Sequence, residues 1–183
     1  MYGEEGWCRS CGTPKGAQTG SLVLQASKMP ASDFWMPNWR YDALCVRVAA
    51  AAGVLKSFEL RTRPVHHPKD TDTGIVQLLP TVNAASVYDR AALSQRVTAR
   101  HGVDGQRCRA CHTWRWMPPV GDLLPDAEVG VEGDSAALVA SPDWVGAGCQ
   151  SFRALWFSRP LAVALVALNP GVWSIVEARR GER

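Results

Sequence analysis

The chain has 183 residues, 46% of them hydrophobic and 20% charged, with 20 Lys+Arg against 17 Asp+Glu for a net charge of +3. This is the composition of an ordinary globular chain, 1–183, of single-domain size, and it excludes collagen-like, disordered and large two-domain dinucleotide-binding architectures. The near balance of charge makes no case for non-specific DNA binding. The longest apolar run, Leu161 to Leu168, falls well short of the 18 or so residues a membrane span needs, so no membrane partner is expected.

In chain order, residues 1–20 hold a first Cys-x-x-C pair, Cys8-Arg9-Ser10-Cys11, followed by Gly12. Met1 to Glu5 carries neither a basic nor an apolar signal region, and a cytoplasmic, reducing location is expected. Ser21 to Ala26 is predicted as a strand, and Met29 to Tyr41 as a Pro- and aromatic-rich stretch. Asp42 to Ala52 is predicted as a helix, with Asp42 as cap and Gly53 as stop. Val54 to Arg61 has strand alternation, His66 to Gly74 reads as a polar loop, and Ile75 to Leu79 as a buried strand. Asp89 to Arg100 is an amphipathic helix ended by Gly102, leading to a second pair, Cys108-Arg109-Ala110-Cys111, within 105–117.

Thr113 to Met117 is a further strand, and 118–135, rich in Pro, Gly and acidic residues, an irregular connection. After a short strand at Ala136 to Ala140, the chain closes with a strand–helix–strand unit. Its parts are strand Phe152 to Phe157, cap Ser158, helix Arg159 to Leu168 with Pro160 in the first turn, and strand Val172 to Ala178. That helix carries no charge from Leu161 to Leu168 and is expected to be buried on all sides. Residues 179–183 form a polar tail. The chain reads without internal repeats, as an α+β fold with short strands. Most of its eight tryptophans are expected to anchor packing.

The cysteines carry the chemistry. Paired Cys-x-x-Cys in a reducing compartment points to metal or redox chemistry rather than to disulfides. Two intervening residues let a tight turn aim both sulfurs at one point, and two such knuckles complete a tetrahedral four-thiolate site. Cys8, Cys11, Cys108 and Cys111 are therefore the expected ligands of one structural Zn2+. The 96 residues between the pairs exceed the spacing of a compact zinc ribbon. Closure entropy grows only logarithmically with loop length, so the insertion is no obstacle to a zinc staple. His112 stands where a knuckle usually has glycine, and would cap a sulfur or replace a cysteine. A thioredoxin-like site is disfavoured because no helical sequence follows either pair. Cys45, on the predicted apolar helix, reads as a core thiol; Cys149 has no nearby base.

The two Cys-x-x-Cys pairs about a hundred residues apart, with Ser-Pro-Asp-Trp (141–144), Ser-Phe-Arg (151–153) and Ser-Arg-Pro-Leu (158–161), resemble the bacterial double-CXXCG proteins. His112 takes the place of the family's second glycine. That group is best known from myxobacterial paralogues and includes immunity proteins paired with polymorphic toxins. The resemblance implies a cytoplasmic, zinc-stapled, non-enzymatic protein whose partner is a toxin it neutralises. No catalytic constellation emerges: His66 and His67 beside Asp70 and Asp72 read as a solvated loop, and Ser94, Ser141 and Ser158 lack a nucleophile elbow. The competing reading is a zinc-ribbon-like nucleic-acid-binding protein. It rests on Arg9, Arg107, Arg109 and Arg115 beside Trp114 and Trp116, arginine for phosphate and tryptophan for base stacking.

Overall fold

The computed structural model describes residues 2, 4–25, 29–37, 42–69, 72–86, 88–118, 136–146 and 150–177. Among the described residues it is an α+β fold of ten short strands in two sheets and three helices. The first sheet has the order β1-β4-β5-β3-β2, formed by Leu22–Val23, Thr62–His66, Asp72–Leu78, Cys45–Arg47 and Phe34–Trp35. The second runs β10-β9-β8-β7 through Phe152–Phe157, Leu138–Val145, Trp114–Trp116 and Gly105–Arg107, with β6 (Thr81–Val82) also beside β9.

In the first half, tertiary pairing overrides the local signals. The helix expected from Asp42 begins later: Cys45–Arg47 is a central strand, paired with β5 through Val46↔Val76 and with β2 through Phe34↔Val46. Val46, fully buried there, suits a pleated surface better than a helix. The helix α1 runs Val48–Ser57 and passes through Gly53, so Gly53 does not stop it. The strand expected over Val54 to Arg61 is instead the end of α1 and its cap. Leu60 N–H donates to Leu55 O at 3.1 Å and Glu59 takes a left-handed φ of 48°. The apparent alternation of Phe58 and Leu60 belongs to this Schellman-type stop, whose hydrophobic contacts mimic a strand.

The expected loop His66 to Gly74 is a hairpin between β4 and β5, with His66 opposite Asp72; Asp70 and Thr71 lie outside the described residues. The strand at Ser21 to Ala26 shortens to β1, parallel to β4, with Ala26 outside the described residues. β5 contains the strand expected at Ile75. Between β5 and β1, Gln77 and Gln18 exchange amide hydrogen bonds of 2.7 and 2.9 Å, pairing the buried Gln77.

The second half follows its local signals more closely. Helix α2, Arg90–His101, starts where Asp89 accepts from Ala92 N at 2.6 Å and ends at left-handed Gly102. It packs Leu93 and Val97 on Trp116 and Val145 of the second sheet. β9 is longer than the expected 136–140 and carries Pro142. Proline is tolerated because β6 pairs with 139–140 and β8 with 144–145, leaving Pro142 in the gap between them. β10 matches its expected bounds, and α3, Arg159–Ala167, starts at Ser158, which accepts from Leu161 N at 3.4 Å.

Two expectations at this end are corrected. Only one face of α3 is buried, through Leu161 and Leu165 against Phe34, Leu44, Val46, Ala51, Leu78 and Leu138, while Val163 is 54% exposed. Residues 172–177 form no strand. Trp173 packs its ring on Phe34 (centroids 4.9 Å) and donates to Phe34 O, and Asn169 donates to the same carbonyl at 2.9 Å, so side chains hold this segment where a ladder was expected. The connection 119–135, Cys149 and the tail 179–183 lie outside the described residues.

Candidate metal centre

Both knuckles sit at hairpin tips. The first lies beyond the bridge Trp7↔Pro14, closed by Lys15 N–H to Gly6 O at 3.1 Å; the second caps the β7–β8 hairpin at the pair Arg107↔Trp114. They share two backbone hydrogen bonds at equivalent positions. Cys8 N–H donates to Thr13 O and Gly12 N–H to Cys8 O, both at 2.8 Å; Cys108 N–H donates to Thr113 O at 3.0 Å and His112 N–H to Cys108 O at 2.9 Å. Gly12 has φ 71° and His112 φ 58°, so the histidine adopts the left-handed turn that glycine adopts in the first knuckle. The expected lack of repeats is thus corrected on a short scale. Cys8–Thr13 and Cys108–Thr113 share the pattern Cys-Arg-x-Cys-x-Thr, legible in the sequence once the register of the turns is known.

The fold brings all four expected ligands together. Their Sγ atoms lie within 4.8 Å of one another, with Cys8 to Cys108 at 3.8 Å and Cys11 to Cys111 at 3.6 Å. A tetrahedral thiolate site with metal–sulfur bonds of about 2.3 Å has edges of about 3.8 Å, whereas a disulfide needs about 2.05 Å. The four are free thiols in the arrangement a metal ion requires. Cys8, Cys11 and Cys108 are buried and Cys111 is half-buried. His112 points no further than an exposed turn: its N–H closes the knuckle and its carbonyl accepts from Arg107 at 2.8 Å.

Hydroxyls and burial set the thiol chemistry. Burial pushes Cys11 up to about 11, against the hydrogen bonding of Thr13, 3.2 Å from its sulfur. At Cys111 burial also pulls upward, but the Thr113 hydroxyl and main chain outweigh it and bring the thiol down to about 6. The Cys108 thiol is lowered by the backbone N–H groups of Cys111 and Ala110. Four neighbouring thiolates repel one another, and a divalent cation is what allows all to ionise together.

Sequence reasoning missed the residues that seat the first knuckle. Thr13 donates to Ser151 Oγ at 3.0 Å, Ser151 donates to Cys11 O at 2.7 Å, and Arg115 donates to the same carbonyl at 3.3 Å. All three are buried. Nearby, Arg153 donates to Ser141 O and Pro142 O at 2.7 and 2.6 Å, lies 4.3 Å over the Trp144 ring, and offers its N–H to Asp42. Arg153 thus ties segments 141–144 and 151–153 together, and Ser151 bonds the latter to the knuckle. The buried Arg115 and Trp116 are structural, which removes them from any base-stacking surface; Arg9, Arg107 and Arg109 are exposed.

Elsewhere, Cys45 is buried on β3 rather than on a helix, and burial raises its thiol to about 12. His67 accepts from Lys69 N at 3.3 Å, and His101 lies 3.2 Å from Pro118 O at the end of α2. Among the described residues the four cysteines are the one group placed to hold a metal, and no helix is long and apolar enough to cross a membrane. Comparison with protein-family models, with curated proteins and with solved structures gives no match.

Proposed function

We propose that this chain is a non-enzymatic binding protein of the cytoplasm, held together by structural Zn2+ on Cys8, Cys11, Cys108 and Cys111, that neutralises a cognate protein toxin. The observation that carries the metal part is the convergence of four sulfurs from two like-built knuckles. Four thiolates fill a tetrahedral shell and leave no open position for substrate, which favours a structural role over a catalytic one. The partner part draws its support from the motif layout shared with the double-CXXCG proteins. Exposed Trp7, Val172, Ile175 and Val176 supply apolar contact area of the kind a protein interface uses.

The test joins metal analysis with capture. Protein purified under reducing conditions should contain one equivalent of zinc, and Cys108→Ser should lose it and melt at lower temperature. A tagged protein drawn from its host should retain one stoichiometric protein, a toxin by activity, through nuclease and high salt. Full metal content in Cys108→Ser overturns the four-thiolate site. Recovery of only nucleic acid, shed by salt, overturns the toxin partner in favour of the nucleic-acid reading.

A further inference from the structure

Cys11 is tied to the chain 140 positions downstream by a closed hydrogen-bond ring. Its thiol donates to Thr13 Oγ1 (3.2 Å), Thr13 donates to Ser151 Oγ (3.0 Å), and Ser151 donates back to Cys11 O (2.7 Å). Thr13 is 2% exposed and Ser151 4%, so water does not compete for these bonds. At the second knuckle the sulfur–threonine contact recurs at 3.5 Å, but the outer turn of that hairpin is exposed and no counterpart of Ser151 bonds to Thr113 among the described residues. Two knuckles with the same local sequence are therefore supported differently: the first leans on the Ser151 hydroxyl just before β10, with Arg115 on the same carbonyl.

We propose that Ser151 is a positioning residue of the metal centre, acting through Thr13 and the Cys11 carbonyl; this rests on the metal-binding reading above. It does two things. Its hydrogen bond to the Cys11 carbonyl fixes the turn that aims Cys11 Sγ at the other three sulfurs. By accepting the single proton of Thr13, it also keeps that proton off Cys11 Sγ, leaving the sulfur lone pairs for the metal. Gly146 brings the segment into place: a side chain there would meet Gln150 O at 2.1 Å and Ser151 Cα at 3.2 Å, so the approach of 150–151 depends on a glycine at φ 143°.

Outer-shell partners of this kind change metal affinity by about 10–100-fold. The experiment loads full-length wild type, Ser151→Ala and Ser151→Thr with Co2+ and then with Zn2+ against a chromophoric chelator. Ser151→Ala should bind zinc at least about tenfold more weakly. Its sulfur-to-cobalt charge-transfer band should move to higher energy, because the Thr13 proton turns to the Cys11 thiolate. Ser151→Thr, which keeps the hydroxyl, should restore both. A Ser151→Ala protein with unchanged affinity and spectrum overturns the proposal even if it melts earlier, since lost packing alone does not shift that band. If Ser151→Ala does not fold, failure of Ser151→Thr to reproduce the wild-type spectrum overturns it. Wild-type protein that binds neither metal fails the metal reading itself, a separate outcome.

Discussion

Cys11 and Cys111 occupy equivalent places in two like turns, yet their surroundings hold their thiols at opposite ends of the range, about 11 and about 6. Because a metal binds thiolates, each protonated ligand costs a proton on loading. Near neutrality Cys11 is protonated and Cys111 ionised, so binding expels the Cys11 proton. Below pH 6 Cys111 is protonated as well and must also give one up. Metal affinity should therefore fall with acid, and more steeply once Cys111 is protonated below about 6. Competition titrations between pH 5 and 8 check this, and a constant slope through pH 6 would count against the asymmetry. Threonine at the second position after the first cysteine pair, and again after the second, is in plain view as Cys-Arg-x-Cys-x-Thr. Ser151 carried no such mark, since nothing in its neighbours tells a buried hydroxyl at a strand start from a surface one.

At the scale of elements, agreement between sequence and structure tracks how much of an element's stability is local. Helix α2 starts and stops close to where it was expected, because its side-chain cap at Asp89 and its glycine stop at Gly102 act within one turn of each end. Helix α1 lacks a side-chain cap. Its beginning is set by where β3 stops pairing with β2 and β5, which local sequence does not encode. Gly53 illustrates the consequence. It is a helical residue with open space around the missing side chain, and it spends chain entropy without a structural return. Gly53→Ala should stabilise the protein by about 0.5–1 kcal/mol and raise Tm by a few degrees, measured by thermal denaturation. A destabilised Gly53→Ala would mean that α1 does not extend through this position. Gly105 is the contrasting case: a side chain there would collide with Arg115 O at 2.4 Å, so the close β7–β8 hairpin that presents the second knuckle needs glycine.

For the whole molecule, the four-cysteine cluster joins segments a hundred residues apart. One comes from near the N-terminus, the other from a hairpin of the second sheet, with β10 beneath. Hydrogen bonds to Ser151 and Arg115 also tie the first knuckle, whereas a structural zinc would supply on the order of 10 kcal/mol. Chelation under reducing conditions should therefore release this segment. Trypsin cleavage after the exposed Arg9 and Lys15, slow in the loaded protein, should become the earliest event after metal removal, as read by mass spectrometry. Unchanged cleavage there would show that the hydrogen bonds alone hold the knuckle. The core of Leu44, Val46, Leu78, Leu161 and Leu165, which joins the first sheet to α1 and α3, should persist longer.

The sequence by itself determined the α+β class, the four cysteines, the bounds of α2 and β10 and the start of α3. In each case the deciding chemistry lies within a few residues: a sulfur pair on a tight turn, a capping side chain, an alternating apolar run. Only the tertiary structure decided that Cys45–Arg47 is a strand, that α3 buries one face, and that 172–177 is held by Trp173 and Asn169 rather than by a ladder. It also brought Ser151 into hydrogen-bond contact with Thr13 and the Cys11 carbonyl. These outcomes depend on partners 28 to 140 positions away, and pairing and hydrogen bonding at such separations are set by how the two sheets come together.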